Sequence, residues 1–89
     1  ETIEWIDAAG DYMCVHASNE TYILRSTMKE LEKKLTAEFV RIHRSTIVNL
    51  HKVRSVDAIP KGECLLHLDD DVSLKVSRNY RSAVQDLMG

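Results

Sequence analysis

The chain contains little of what disulfide-rich or membrane-spanning proteins depend on. Its 89 residues include only two cysteines, Cys14 and Cys64, which lie far apart in the sequence. Two such cysteines do not make a disulfide framework, so we expect both to be small core residues in a reducing, cytoplasmic environment. No apolar run approaches the roughly 20 residues that a membrane helix requires, and we expect no membrane contact by this domain.

The sequence starts at Glu1 without an initiating methionine and leads directly into strand-like residues, so we expect no signal peptide. We therefore expect an excised piece of a longer protein. The length suits one small domain with a single core, predicted to span residues 1–89. Hydrophobic residues make up 44% and charged residues 29%, which is typical of a globular protein and excludes a disordered one. We find no internal repeat, low-complexity tract or linker.

Short runs of β-branched and aromatic residues, separated by turn-forming residues, dominate the sequence, and this pattern predicts strands. The predicted strands cover residues 3–6, 12–17, 21–25, 39–42, 46–50, 53–59, 64–68 and 72–76. Pro60-Lys61-Gly62 and the acidic triplet 69–71 are predicted turns. So many short strands at close spacing, together with two short helices, predict a mostly antiparallel β domain.

Two segments change period and predict short helices. Thr27 and Glu30 have the spacing of a capping box, which starts a helix that continues to about Thr36. A second helix is predicted at the end of the chain, with Ser77 or Asn79 as its N-cap. The apolar residues at helical spacing are Met28, Leu31 and Leu35 in the first segment and Tyr80, Val84 and Leu87 in the second.

Two cationic segments contain no acidic residue, although the whole chain has a net charge of -2. They are residues 39–54 and residues 72–85. Their cations are Arg41, Arg44, Lys52 and Arg54 in the first segment, and Lys75, Arg78 and Arg81 in the second. Local positive charge in a mildly acidic domain indicates an anionic partner, and we expect the two segments to share the face that meets it.

The segment from Phe39 to Asn49 resembles the core motif of the LytTR (LytR/AlgR-type) DNA-binding domain of bacterial transcription regulators. That motif has the pattern Phe-x-Arg-x-His-Arg-Ser-x-x-Val-Asn, and each defined position is matched here. The resemblance extends to the opening residues 3–8 with Gly10-Asp11-Tyr12, to residues 28–35, and to residues 76–80. In this order and spacing the motifs make the resemblance specific.

The resemblance implies an elongated stack of small antiparallel sheets whose loops on one side meet DNA. It also implies the output domain of a response regulator in a two-component system, which binds promoter DNA sequence-specifically with loops in neighbouring major grooves. The sites would be paired repeats, so we expect two copies to form a dimer on DNA. The missing N-terminal part would be a receiver domain or a membrane-embedded sensor.

Arg44 and Arg78 are the predicted base-reading residues, because a guanidinium in a loop can pair with a guanine edge or clamp a phosphate. His43 is either a phosphate contact or a hydrogen-bonded structural residue, and Ser45 either contacts phosphate or closes the turn. The further predicted phosphate contacts are Arg41, Lys52, Arg54, Lys75 and Arg81.

Two more residues have open alternatives. Tyr12 follows Asp11, which would repel phosphate, so Tyr12 is the candidate DNA contact of its loop, with a place in the core as the alternative. Asn49 interrupts an apolar run and is predicted to bond to backbone and fix the neighbouring loop, with contact to DNA as the alternative.

Other classes of function have less support. Cys14 and His16 share a strand face, but no cation lies near Cys14 to activate its thiol, so we predict no enzyme. A zinc site would need Cys14 and His16 together with Cys64 and His67, and the second pair falls on opposite faces of a strand. We predict neither metal nor cofactor. The remaining rival is a protein-interaction module whose basic stripe binds an acidic partner.

Overall fold

The computed structural model describes residues 2–18, 20–69 and 71–85, and strands form most of its regular structure. Within this part of the chain, eight strands make two antiparallel sheets, accompanied by one α-helix and three short 3-10 helices. The prediction of a mostly β fold with small antiparallel sheets and short helices is confirmed. The molecule measures 33 by 25 by 22 Å along its principal axes.

The first sheet has five strands in the order β3-β2-β1-β5-β4. The strands are β1 (Ile3–Ala9), β2 (Tyr12–Ala17), β3 (Thr21–Arg25), β4 (Phe39–His43) and β5 (Thr46–Asn49). Helix α1 (Met28–Lys34) connects β3 to β4. Its predicted capping box is present, because Thr27 and Glu30 each accept the other's backbone N–H.

The second sheet has three strands in the order β6-β7-β8. They are β6 (Ser55–Ile59), β7 (Glu63–His67) and β8 (Ser73–Val76). The 3-10 helices are Leu50–Lys52, Pro60–Gly62 and Arg78–Val84. The last one covers part of the outer edge of β4, where Ser77 donates its N–H to the carbonyl oxygen of Ile42 across 2.9 Å.

Two hydrophobic clusters fill the interior, so the prediction of a single core is wrong. Side chains alternate between the faces of a strand, and both faces of the first sheet are covered. Ile6 and Ile47 face α1, where Met28 and Leu31 pack against them. The other face packs against the second sheet and the 3-10 helix 78–84. Its buried residues are Ile42, Val48, Cys64, Leu66, Leu68, Leu74, Val76 and Val84.

Several element boundaries differ from the prediction for local reasons. Strand β1 continues to Ala9, since its last residue still pairs with Tyr12 across a two-residue turn in which Gly10 has a φ of 63°. Strand β5 stops at Asn49, because the Asn49 side chain accepts the N–H of His51 and starts a 3-10 helix. Strand β6 starts at Ser55, two residues later than predicted.

The C-terminal segment is also different from the prediction. Residues 78–84 form a 3-10 helix, and Ser77 occupies the N-cap position without a capping hydrogen bond from its side chain. Val84 is fully buried in the core between the sheets, as its helical spacing suggested. Leu87, the third apolar residue of the predicted pattern, lies outside the described residues.

Candidate nucleic-acid interface

Four connections meet at one end of the molecule, which we call the Arg44 end. They are the turns at Gly10-Asp11, Arg44-Ser45 and Pro60–Gly62, and the Ser77-Arg78 junction. Ala8 donates its N–H to the carbonyl oxygen of Ser45 across 2.8 Å, which brings the first two turns together. The bond from Ser77 to Ile42 joins the junction to the end of β4. Gly62 in turn lies against Arg78.

Arg44 and Arg78, the predicted base-reading residues, are both exposed at this end. No carboxylate of residues 2–18, 20–69 and 71–85 lies within ion-pair distance of either guanidinium. Each guanidinium therefore keeps its fork of donors available to an external acceptor.

His43 and Ser45 hold the turn that carries Arg44. The N–H of Ser45 donates to Nδ1 of His43 across 3.2 Å, and Oγ of Ser45 lies 2.9 Å from the same nitrogen. Because Nδ1 is an acceptor in this arrangement, the neutral ring carries its proton on Nε2. His43 is thus hydrogen-bonded within the turn through Nδ1, as in its structural alternative, and Ser45 helps to close the turn.

Arg41 braces the same turn from inside. Its Nη2 donates to the carbonyl oxygen of Arg44, and its Nε donates to that of His43 across 3.3 Å. Nη1 forms an ion pair with Glu32 of α1 at 3.0 Å, and the guanidinium carbon lies 5.6 Å from the ring centroid of Tyr80. These contacts make Arg41 a positioning residue for the Arg44 turn.

Two cations of the second cationic segment lie close to Gly62. Arg78 lies directly over this glycine, and Arg81 approaches it from the same 3-10 helix. Lys75 is exposed on β8 and pairs with Glu63 across 3.1 Å. Lys61, which the sequence analysis did not select, lines a small cavity with Arg78. No sequence motif marks Lys61 as a candidate site residue. Its position near Arg78 follows only from the pairing of β7 with β8, which brings the Pro60–Gly62 turn close to the end of β8.

Tyr12 and Arg25 extend the Arg44 end across the first sheet. Tyr12 is 49% exposed, so its alternative place in the core is wrong. It pairs with Arg25 in the register of β2 and β3. Arg25 is exposed and was not selected from the sequence either, since it lies outside the two acid-free segments.

Lys52 and Arg54 lie at the opposite end of the molecule, which we call the Asp69 end. Strand β5 runs away from the Arg44 turn before the chain reaches them. Nε and Nη2 of Arg54 donate to the two carboxylate oxygens of Asp69 across 2.8 and 3.0 Å. This hydrogen bond lowers the pKa of Asp69, and Lys52 adds a weaker effect in the same direction. These two cations of the first segment therefore lie at the end of the molecule opposite to Arg44 and Arg78.

Asn49 has the structural role predicted for it. It is buried, its Nδ2 donates to the carbonyl oxygen of Ile3 across 2.9 Å, and its Oδ1 accepts the N–H of His51 across 3.0 Å. These bonds tie the end of β5 to the start of β1 at the Asp69 end. They leave the amide inside the protein.

The residues considered for zinc or for catalysis do not assemble. Cys14 lies in the first sheet and Cys64 in the second, and burial raises the pKa of the Cys64 thiol. His16 contacts Asp7 at 2.7 Å, and His67 contacts Asp57 at 2.7 Å. Among the described residues, no three His, Cys, Asp or Glu side chains are grouped to hold a metal ion.

No helix in the described ranges has both the length and the apolar character needed to cross a membrane.

Comparisons with known proteins agree with this geometry. The family model described as "LytTr DNA-binding domain" matches residues 1–89. In solved structures, the chain is similar to a LytTr DNA-binding domain from Bacillus cereus, with a TM-score of 0.88 and 27% identity, covering 98% of this chain and 81% of that one.

Curated relatives are regulators that are longer than this chain. The sensory transduction protein LytT of Bacillus anthracis is 29% identical over 89 residues, which are 99% of this chain and 36% of that protein. An uncharacterized HTH-type transcriptional regulator of Staphylococcus aureus is 32% identical over 69 residues, which are 78% of this chain and 47% of the relative. The chain thus spans about a third of LytT and about half of the second relative. Because the family model covers all of it, the chain belongs to the LytTr DNA-binding domain family of transcription regulators.

Proposed function

We propose that this domain binds double-stranded promoter DNA sequence-specifically, with the loops of Arg44 and Arg78 inserted in neighbouring major grooves. The observation that carries the proposal is that the Ser77–Ile42 backbone bond joins the loops of Arg44 and Arg78, whose side chains are each exposed and without an acid partner in the described structure. A guanidinium can donate two parallel hydrogen bonds to O6 and N7 of guanine. The family supports DNA as the partner.

The neighbouring side chains divide into phosphate contacts and positioning residues. In this proposal Ser45, Arg81, Lys75 and Tyr12 contact the sugar-phosphate backbone, and such contacts set register and affinity. His43 can add a phosphate contact through its Nε2 proton while Nδ1 holds the turn. Arg41 acts through the Arg44 turn.

Lys52 and Arg54 have a different part in the proposal. They lie at the Asp69 end, and Arg54 is neutralised by its carboxylate partner. We assign them a contribution to the long-range field of the domain rather than direct contact, and this contribution is screened within about 8 Å at physiological ionic strength.

The proposal also covers the protein around this domain. The domain would be the DNA-binding output part of a longer cytoplasmic response regulator, because its curated relatives extend well beyond the matched segment. Two copies would occupy paired repeats. Paired binding multiplies the affinity of each copy through effective concentration, so a modest single-site affinity is sufficient.

Selection of bound sequences from random double-stranded DNA tests the proposal. The wild-type domain should enrich one motif, whereas an Arg44→Ala/Arg78→Ala double variant should keep its fold and enrich none. A matched Lys52→Ala/Arg54→Ala variant should enrich the wild-type motif. If the wild-type domain enriches no sequence and binds an acidic polypeptide as well as DNA, the protein-interaction alternative is correct.

A further inference from the structure

The Pro60–Gly62 turn, which has no assigned role, makes direct contact with Arg78. A Cβ atom placed on Gly62 would lie 3.2 Å from Cγ and 3.3 Å from Cδ of Arg78. Gly62 also has a φ of 78°, a conformation that side chains other than hydrogen rarely adopt. Both the backbone conformation and the nearby Arg78 stem therefore favour glycine at this position.

The same turn projects a second cation toward Arg78. Lys61 lines an open cavity of about 230 Å³ together with Glu63, Ser77, Arg78 and Asn79. Glu63 is paired with Lys75, so one carboxylate there is already compensated by a lysine. The remaining polar lining consists of two cations, a hydroxyl and an amide, which is a donor set suited to a phosphate.

We propose that the Pro60–Gly62 turn is a working part of the DNA interface, in which Gly62 positions the Arg78 side chain and Lys61 binds a backbone phosphate beside it. The inference rests on the proposed function and adds a loop and two residues to it. Gly62 is a positioning residue, because it acts through Arg78. Lys61 is a direct contact.

The physical advantage of this arrangement is preorganisation. A free arginine side chain loses about 2 kcal/mol of rotamer entropy when it is fixed on a base. The aliphatic part of Arg78 already lies along the Pro60–Gly62 turn, so part of its rotamer entropy is lost before DNA binds. A phosphate held by Lys61 would fix the register of the backbone next to the base that Arg78 meets.

Gly62→Ala tests the positioning role, with Gly10→Ala as the matched control. Gly10 has a similar φ of 63°, but a Cβ there would meet nothing within 4 Å. Arg78→Ala should reduce the affinity for the selected DNA site by about 5- to 150-fold. We expect Gly62→Ala to reduce the preference for particular bases at the same positions of the site as Arg78→Ala does. The two changes together should weaken binding no more than Arg78→Ala alone. Gly10→Ala should combine additively with Arg78→Ala.

Gly62→Asn is a second variant that separates loss of folding from loss of Arg78 positioning, in case the alanine variant does not fold. Asparagine tolerates the left-handed conformation better than alanine, yet it carries the same Cβ toward Arg78. It should therefore flatten base preference with a smaller loss of melting temperature. If either folded Gly62 variant keeps the wild-type base preferences, the positioning role is overturned.

Lys61→Ala tests the phosphate contact, with Lys34→Ala in the last turn of α1 as its control. We expect Lys61→Ala to weaken every DNA sequence equally and to reduce the salt slope by about one unit. Lys34→Ala should leave both quantities unchanged. An unchanged slope for Lys61→Ala would overturn the contact. Both outcomes concern only the variants and leave the sequence preference of the wild-type domain intact. If the proposed function itself is wrong, the wild-type domain will show no sequence preference.

Discussion

Ser77 donates its backbone N–H to the carbonyl oxygen of Ile42 across 2.9 Å, and this bond joins the two loops that carry Arg44 and Arg78. The donor follows β8 of the second sheet, and the acceptor belongs to β4 of the first. A backbone bond between two sheets is set by the packing of both. The spacing between the two arginines is therefore a property of the fold and not of either loop alone.

Replacement of Arg44 by Ala should weaken binding to the selected site by about 1 to 3 kcal/mol, which is the value of a lost bidentate base contact. Its melting temperature should remain that of the wild type, because the side chain is exposed. Fluorescence anisotropy with the selected duplex measures the loss. Arg54→Ala is the matched control and should bind normally. Equal affinities for the wild type and Arg44→Ala would remove Arg44 from the interface.

Arg78→Ala should relax preference at one or two base pairs of the selected site, since its short tether to β8 and the close approach of its stem to Gly62 restrict the positions of the side chain. Lys75→Ala should instead weaken all sequences about equally and lower the salt slope by about one unit. Binding of each variant to the site and to every single-base change separates the two effects. A uniform loss for Arg78→Ala would make it a backbone contact.

The logarithm of affinity should fall linearly with the logarithm of salt concentration, by about 0.9 for each phosphate neutralised. Three to six phosphate contacts give a slope of roughly -3 to -5. Titrations between low and physiological salt measure it, and the Lys52→Ala/Arg54→Ala variant should keep nearly the same slope. A slope near zero would contradict phosphate binding.

Arg41→Ala should lower both stability and DNA affinity, although its guanidinium is bonded to partners within the protein. The change removes donors to two turn carbonyls and leaves Glu32 without its cation, at a cost to folding of about 1 to 3 kcal/mol. Urea unfolding and duplex titration measure the two losses. Glu32→Gln keeps the side-chain shape and should have a smaller effect. Wild-type binding by a destabilised Arg41→Ala variant would show that the Arg44 turn needs no brace.

The Asp69 carboxyl should titrate below its ordinary pKa, because Arg54 donates two hydrogen bonds to its charged form. A depressed folded-state pKa stabilises the fold above the unfolded-state pKa, and this contribution is lost as pH falls through the folded value. The difference in stability between wild type and Arg54→Ala should therefore be small at neutral pH and vanish as the pH falls below the depressed pKa of Asp69. NMR titration of Asp69 in both proteins checks the shift. An identical titration would show that the pair does not persist in solution.

Local patterns predicted the local elements well. The capping box at Thr27 depends on two residues three positions apart, and the motif around Arg44 lies within one hairpin. Asn49 was correctly predicted to bond to backbone, because a polar residue inside an apolar run must find partners.

The arrangement in space was less predictable. Arg41 pairs with Glu32 on a different element, so its sequence neighbours did not reveal that its donors are occupied. Lys52 and Arg54 were grouped with Arg44 by sequence distance, yet a strand carries the chain about 3.3 Å per residue away from the turn. Lys61 and Arg25 lie at the Arg44 end because of how the strands pair, and the sequence does not show this pairing.

The placement of the turns outside both hydrophobic clusters has a consequence for how such domains diversify. Arg44, Lys61 and Arg78 are exposed, and none of them belongs to either buried cluster. Under the proposed function, exchanging these side chains would alter which sequence is recognised and leave the buried contacts that stabilise the fold unchanged. One scaffold would then acquire new operators by a few substitutions, without compensating changes in its interior.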